Sequence, residues 1–208
     1  DLHLSLRRQR QMCIRDRRKG YRWSGPAPAN TIDKHVFFKL KQFRENPAAA
    51  CDDATFIRRA CLDITGTLPD PIEAKAFVED DDPAKRARLN ARLLASPEYA
   101  EFWALKWADL LRVEEKTLDA KGVEMFHNWI REGLAAGKPL DIFAREVLSS
   151  TGSTYGNPPT NFYRALRIPV DRAEAVAQVF LGSRLKCARC HAHPIEDVRQ
   201  DDLSLIHI

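Results

Sequence analysis

No stretch of this chain approaches the roughly 18 consecutive apolar residues that a membrane-spanning helix needs, so nothing visible in it crosses a bilayer. Nor does any segment sustain period-two alternation, and no apolar run is bracketed like a parallel strand, which sets sheet architectures aside. Internal repeats are missing, and the short acidic run at residues 79–82 reads as a solvated helix junction. G-x-S-x-G and H-E-x-x-H are absent, and with them the usual nucleophile elbow and zinc-hydrolase helix. What the chain does have is ordinary globular composition. It is 44% apolar and 30% charged over 208 residues, enough for one or two domains with a core that needs no disulfide staples.

Strong charge of one sign is lacking as well. Of the net +4, residues 1–17 hold most: Arg7, Arg8, Arg10, Arg15 and Arg17 stand against Asp1 and Asp16, which leaves +1 for everything else. A basic stripe for nucleic acid is therefore not expected. The strings QMCIRDR (residues 11–17) and LSLIHI (residues 203–208) look like translated sequencing-adapter sequence and are set aside, as tags and scars would be. Cys13, His3 and His207 then leave the ligand inventory. The remainder is expected to be a fragment, with residues 18–30 as an extended arm and residues 31–202 as one helical domain truncated at its C-terminal end. Any export signal would lie upstream.

Helical punctuation recurs along that domain. Ile32, Val36, Leu40 and Phe43 share one face of a first helix, and Asp52 or Asp53 opens a second that ends at Gly66. Asp70-Pro71, Asp82-Pro83 and Ser96-Pro97 each pair a capping side chain with proline in the first turn. The helix from Pro97 carries Tyr99, Phe102, Trp103, Trp107, Leu110 and Leu111 around more than half its circumference, and is expected to be the central, most buried one. Helices follow from about Lys121 to Ala136 and from Leu140 to Leu148, then a long loop over residues 149–161. Asp171 with Glu174 reads as a capping-box variant opening a helix that stops at Gly182. The fold class is all-α, about eight helices in one domain with the N-terminal arm.

Directly after Gly182 comes the chain's cluster of soft ligands, Cys187-Ala188-Arg189-Cys190-His191-Ala192-His193-Pro194. The spacing C-x-x-C-H suits covalent haem c: two thiols on one turn reach the two porphyrin vinyl groups, and the next imidazole faces the iron from the same side. His193 cannot pass around the ring, so a distal ligand would come from Met125, His127, His35 or a missing segment. A second reading joins Cys187, Cys190, His191 and His193 in a compact knuckle for zinc or iron. A third is a dithiol exchange site, for which the expected strand before Cys187 is absent. Cys61 falls on an apolar stripe as a small core residue, and a Cys51–Cys61 disulfide stays open. Asp63 and Asp109 lie in apolar helices, where burial would demand partners such as Arg58, Arg59 or Arg112. Residues 149–154 could form an anion nest, but read more simply as surface loop. No catalytic constellation appears.

ATFIRRACLDITGTLPDPIEAKAFV (residues 54–78), LLASPEYAEFWALKWADLLRV (93–113), NPPTNFYR (157–164) and VAQVFLGSRLKCARCHAHP (176–194) resemble, in this order, the cytochrome-c-associated domain of unknown function of planctomycete surface proteins. The resemblance implies a periplasmic or cell-surface multidomain protein, with a cytochrome c domain upstream, a further domain downstream and a redox partner. It supplies no substrate. The family's pattern has Asn or Asp between the two histidines and an aromatic after the proline, where this chain has Ala192 and Ile195.

Overall fold

The computed structural model describes residues 20–205; the adapter-like residues 1–17, the first two residues of the arm and residues 206–208 of the C-terminal string, with Cys13, His3 and His207, lie outside the described residues. Ten α-helices and two 3-10 turns, with no strand, make up the described chain, as an all-α sequence requires. The chain forms two compact units that meet in sequence between Asp52 and Asp53, so the first helix groups with the arm.

In the first unit, α1 (Thr31–Phe43) starts at Asn30, whose side chain accepts from the Asp33 amide at 2.9 Å while the Asp33 carboxylate accepts from the Ala29 amide at 2.9 Å. This reciprocal pairing satisfies two amides at the helix start. The arm runs back along the helix: Trp23 meets Phe37 with ring centroids 5.4 Å apart, and Asn46 bonds both Ser24 and Arg22. The apolar face read from the sequence is not buried, Ile32 being 72% exposed.

In the second unit, α2 (Asp53–Thr65), α3 (Pro71–Glu79) and α4 (Lys85–Leu94) close around Ile57, Cys61, Phe77, Leu89 and Leu93. Gly66 ends α2 at φ +71°, and a Cβ there would lie 2.3 Å from the Phe102 ring. The Asp70-Pro71 and Ser96-Pro97 caps form as expected. Asp82-Pro83 instead makes a turn, its carboxylate accepting from the Ala84 amide, and α4 begins two residues later.

The second core gathers α5 (Pro97–Leu110), α6 (Ala120–Ala135), α7 (Leu140–Leu148) and α8 (Asn161–Ala165) around Leu111, Leu118, Phe126, Ile130, Phe143, Val147 and Phe162. Here the expectation for α5 needs correcting. Its buried stripe is Ala100, Ala104 and Ala108, while Leu105 and Leu110 are exposed and the large aromatic rings are half-buried. These small residues recur at four-residue spacing along one side of α5, and α6 contributes the fully buried Phe126 and Ile130. The loop before α8 is pinned by Asn161, fully buried, which donates to the Thr154 and Pro158 carbonyls at 2.8 and 3.0 Å.

A third core joins α9 (Pro169–Phe180), a 3-10 turn (Lys186–Arg189) and α10 (Gln200–Leu205) through Ala173, Ala177, Leu185, Ala188 and Leu203. Leu203 is 1% exposed, and α10 runs across the boundary at Asp202 drawn from the adapter-like string.

Candidate functional site

Gly182, at φ +71°, ends α9, and the Ser183 amide reaches back to the Ala177 carbonyl at 3.0 Å. The chain then lays Leu185 and Ala188 on Ala173 and Ala177 of α9, with Ala188 fully buried. This inward anchor leaves the opposite side of the turn for Cys187, Cys190 and His191, all three exposed. The Cys187 carbonyl accepts from the amides of both Cys190 and His191, at 3.3 and 3.4 Å. Cys187 and Cys190 thus stand three positions apart across a 3-10 turn (Lys186–Arg189) that Cys190 ends, and His191 follows in the bend just beyond it. Both cysteines are free thiols.

Arg189, between the two cysteines, is stapled to α9. Its guanidinium pairs with Asp171 and Glu174, donating to the second Glu174 oxygen at 2.9 Å. The hydrogen bonds it donates to Glu174 first, then to Asp171, raise the Arg189 pKa still further above its ordinary value. The capping-box expectation is corrected here: Ile168 stands at the start of α9 without a side-chain cap, and the two carboxylates are spent on Arg189.

The two histidines differ in what they have left to offer. His191 Nδ1 lies 2.7 Å from the Ala192 carbonyl oxygen. A carbonyl only accepts, so Nδ1 carries the proton, and in the neutral ring Nε2 keeps an open lone pair. His193 is engaged at both nitrogens: Nε2 donates to the Arg184 carbonyl at 2.9 Å, and Nδ1 accepts from the Ile195 and Glu196 amides at 3.3 and 2.8 Å. Its neutral ring therefore offers no unused lone pair. In keeping with this, no group of three or more His, Cys, Asp or Glu among the described residues is placed to hold a metal ion, so the four-ligand knuckle is not assembled.

The donor set for covalent haem c is present: two exposed thiols three positions apart, and an adjacent imidazole with an open Nε2. A distal ligand is not picked out. Met125 and His127 are half-buried on α6, and neither is among the residues packed in the third core; His35 is exposed on α1.

Other residues singled out in the sequence fall into plainer roles. Cys61 is a buried free thiol whose pKa burial pushes up. Asp63 and Asp109 are exposed, which removes the reason to expect internal ion pairs for them. Two shallow clefts of about 460 Å³ each border α3, one lined by Ile57, Leu68 and Val78, the other by Phe77, Asp80 and Arg88; neither includes the cysteine turn.

Sequence reading missed one polar cluster. Asp119 caps α6 by accepting from the Gly122 amide at 2.7 Å, and its other oxygen accepts from the Tyr155 hydroxyl at 2.6 Å and Arg164 at 2.9 Å. Those bonds, Tyr155 first, hold its carboxyl down at about 2. The capping signal was present in the sequence, an aspartate just ahead of an apolar helical stripe. Its partners stand 36 and 45 residues away, where no local pattern reaches.

Fold and site together define an all-α domain that presents a C-x-x-C-H turn on its surface. Residues 31–206 match the PSCyt2 family, described as a protein of unknown function (DUF1549), and the chain belongs to that family. No curated protein and no solved structure matches the chain.

Proposed function

We propose that the domain is a c-type haem-binding module for one-electron transfer, with Cys187 and Cys190 as attachment residues and His191 as the proximal axial ligand. The observation that carries the reading is the turn itself. Two exposed free thiols stand three positions apart across one turn, an exposed imidazole follows directly, and the His191 proton is held on Nδ1 by the Ala192 carbonyl, leaving Nε2 for iron. In attachment each thiol S–H adds across one vinyl C=C, the sulfur bonding one carbon and the hydrogen passing to the other, so nothing is lost. Bound haem would supply the one-electron iron couple, and the axial ligand and its surroundings would set the potential.

The chain's own residues supply fixity. Ala188 fills the core beneath the turn, and Arg189 fastens its middle to α9, so the thiols are presented without the loop having to fold around the ring. The proposal extends to an extracytoplasmic setting, neighbouring domains of the same polypeptide and a redox partner, as the resemblance read from the sequence implies. Zinc or iron held by Cys187, Cys190, His191 and His193 is less well supported, because both nitrogens of His193 are already bonded to backbone.

Producing the full chain in a host with cytochrome c maturation tests this. A Soret band that survives denaturation, and disappears when Cys187 and Cys190 are both replaced by serine, is expected. A colourless protein holding stoichiometric zinc would overturn the assignment in favour of the knuckle.

A further inference from the structure

The haem reading leaves His193 without a role, although both nitrogens of its ring are bonded to backbone. Four contacts converge on this residue. Its amide donates to the Val198 carbonyl at 2.9 Å, its Nε2 donates to the Arg184 carbonyl, and its Nδ1 accepts from the amides of Ile195 and Glu196. Arg184 lies three residues before Cys187, and Ile195 and Glu196 lie four and five residues after His191. The imidazole thus bridges the two ends of the loop that contains all three attachment residues.

We infer that His193 is a positioning residue: a clasp that closes the loop over residues 184–196, with its proton on Nε2, and so holds Cys187, Cys190 and His191 on their turn. The assignment follows from the directions of the bonds. A carbonyl can only accept, which places the ring proton on Nε2; two amides can only donate, which requires the lone pair on Nδ1. A ring used in this way has nothing left for a metal. Three loop groups that would otherwise depend on water, the Arg184 carbonyl and the Ile195 and Glu196 amides, gain a partner from one side chain. What the clasp serves rests on the haem reading; that it exists does not.

The test is arranged to separate the two. In the haem-free, ¹⁵N-labelled full chain with the ring neutral, long-range proton–nitrogen correlation is expected to show His193 protonated at Nε2 and bare at Nδ1. Exchange of the Glu196 amide should become faster by about fivefold in His193→Ala, the factor a net hydrogen bond is worth. His193→Asn should restore slow exchange, since a carboxamide oxygen can stand where Nδ1 stood. The opposite tautomer, or equal exchange in wild type and His193→Ala, overturns the clasp. If His193→Ala does not fold, the wild-type tautomer still decides.

In the maturation host, His193→Asn should keep covalent haem with unshifted bands while His193→Ala lowers the yield. A shift of the bands in both variants would make His193 an iron ligand and overturn the inference. Wild-type protein that takes up no haem, but shows the stated tautomer and exchange, leaves the clasp standing and removes the haem reading alone.

Discussion

Ala188 and Arg189 are the two variable positions of C-x-x-C, and the structure gives them opposite duties: one is buried on Ala173 and Ala177, the other reaches across the surface to two carboxylates. Replacing Arg189 with methionine should leave the core intact but loosen the turn, seen as faster amide exchange at Cys190 and His191 than at Phe126. Lysine should not restore it, because a single ammonium cannot match the fork that spans Asp171 and Glu174. Asp119 gives a pH prediction. Its folded pKa of about 2 lies below the ordinary 3.8, so its contribution to stability is whole above the unfolded value and is lost as pH falls through the folded one. Acid titration of unfolding between these two values should be less steep in Asp119→Asn than in wild type. Equal slopes would mean that Tyr155 and Arg164 do not hold the carboxylate in solution.

At the scale of elements, the helices were readable because their signals are local. Asp70-Pro71 and Ser96-Pro97 announce α3 and α5, and Gly66 and Gly182 announce the ends of α2 and α9 at positive φ. Gly66→Ala should cost about 1–2 kcal/mol for the left-handed backbone alone, and more if the Phe102 ring cannot move aside; thermal or urea unfolding measures it. Side-chain use was harder to read. Asp171 and Glu174 have capping spacing, yet an arginine 15 residues beyond Glu174 claims both. The aromatic-rich α5 reads as most buried when its pattern is counted by bulk, whereas the residues it buries are Ala100, Ala104 and Ala108. Phe126 on α6 is fully buried, so Phe126→Ala is expected to destabilise the fold by about 3–5 kcal/mol, well beyond an exposed change such as Leu105→Ala.

Across the whole molecule, the all-α class and membership of a domain family of unknown function were legible in residues 31–202, and the family match spans residues 31–206. The candidate site was legible as a motif but not as a geometry. Spacing alone left His193 equal to His191, and only the bonds to Arg184, Ile195 and Glu196 tell a clasp from a ligand. The central claim is that Cys187 and Cys190 are covalent attachment points. Its most direct test is the intact mass of the full chain under denaturing conditions, after expression with cytochrome c maturation machinery. The account predicts a gain of one haem that is lost in Cys187→Ser/Cys190→Ser; an unmodified wild-type mass, from cells that mature a control cytochrome c normally, would contradict it.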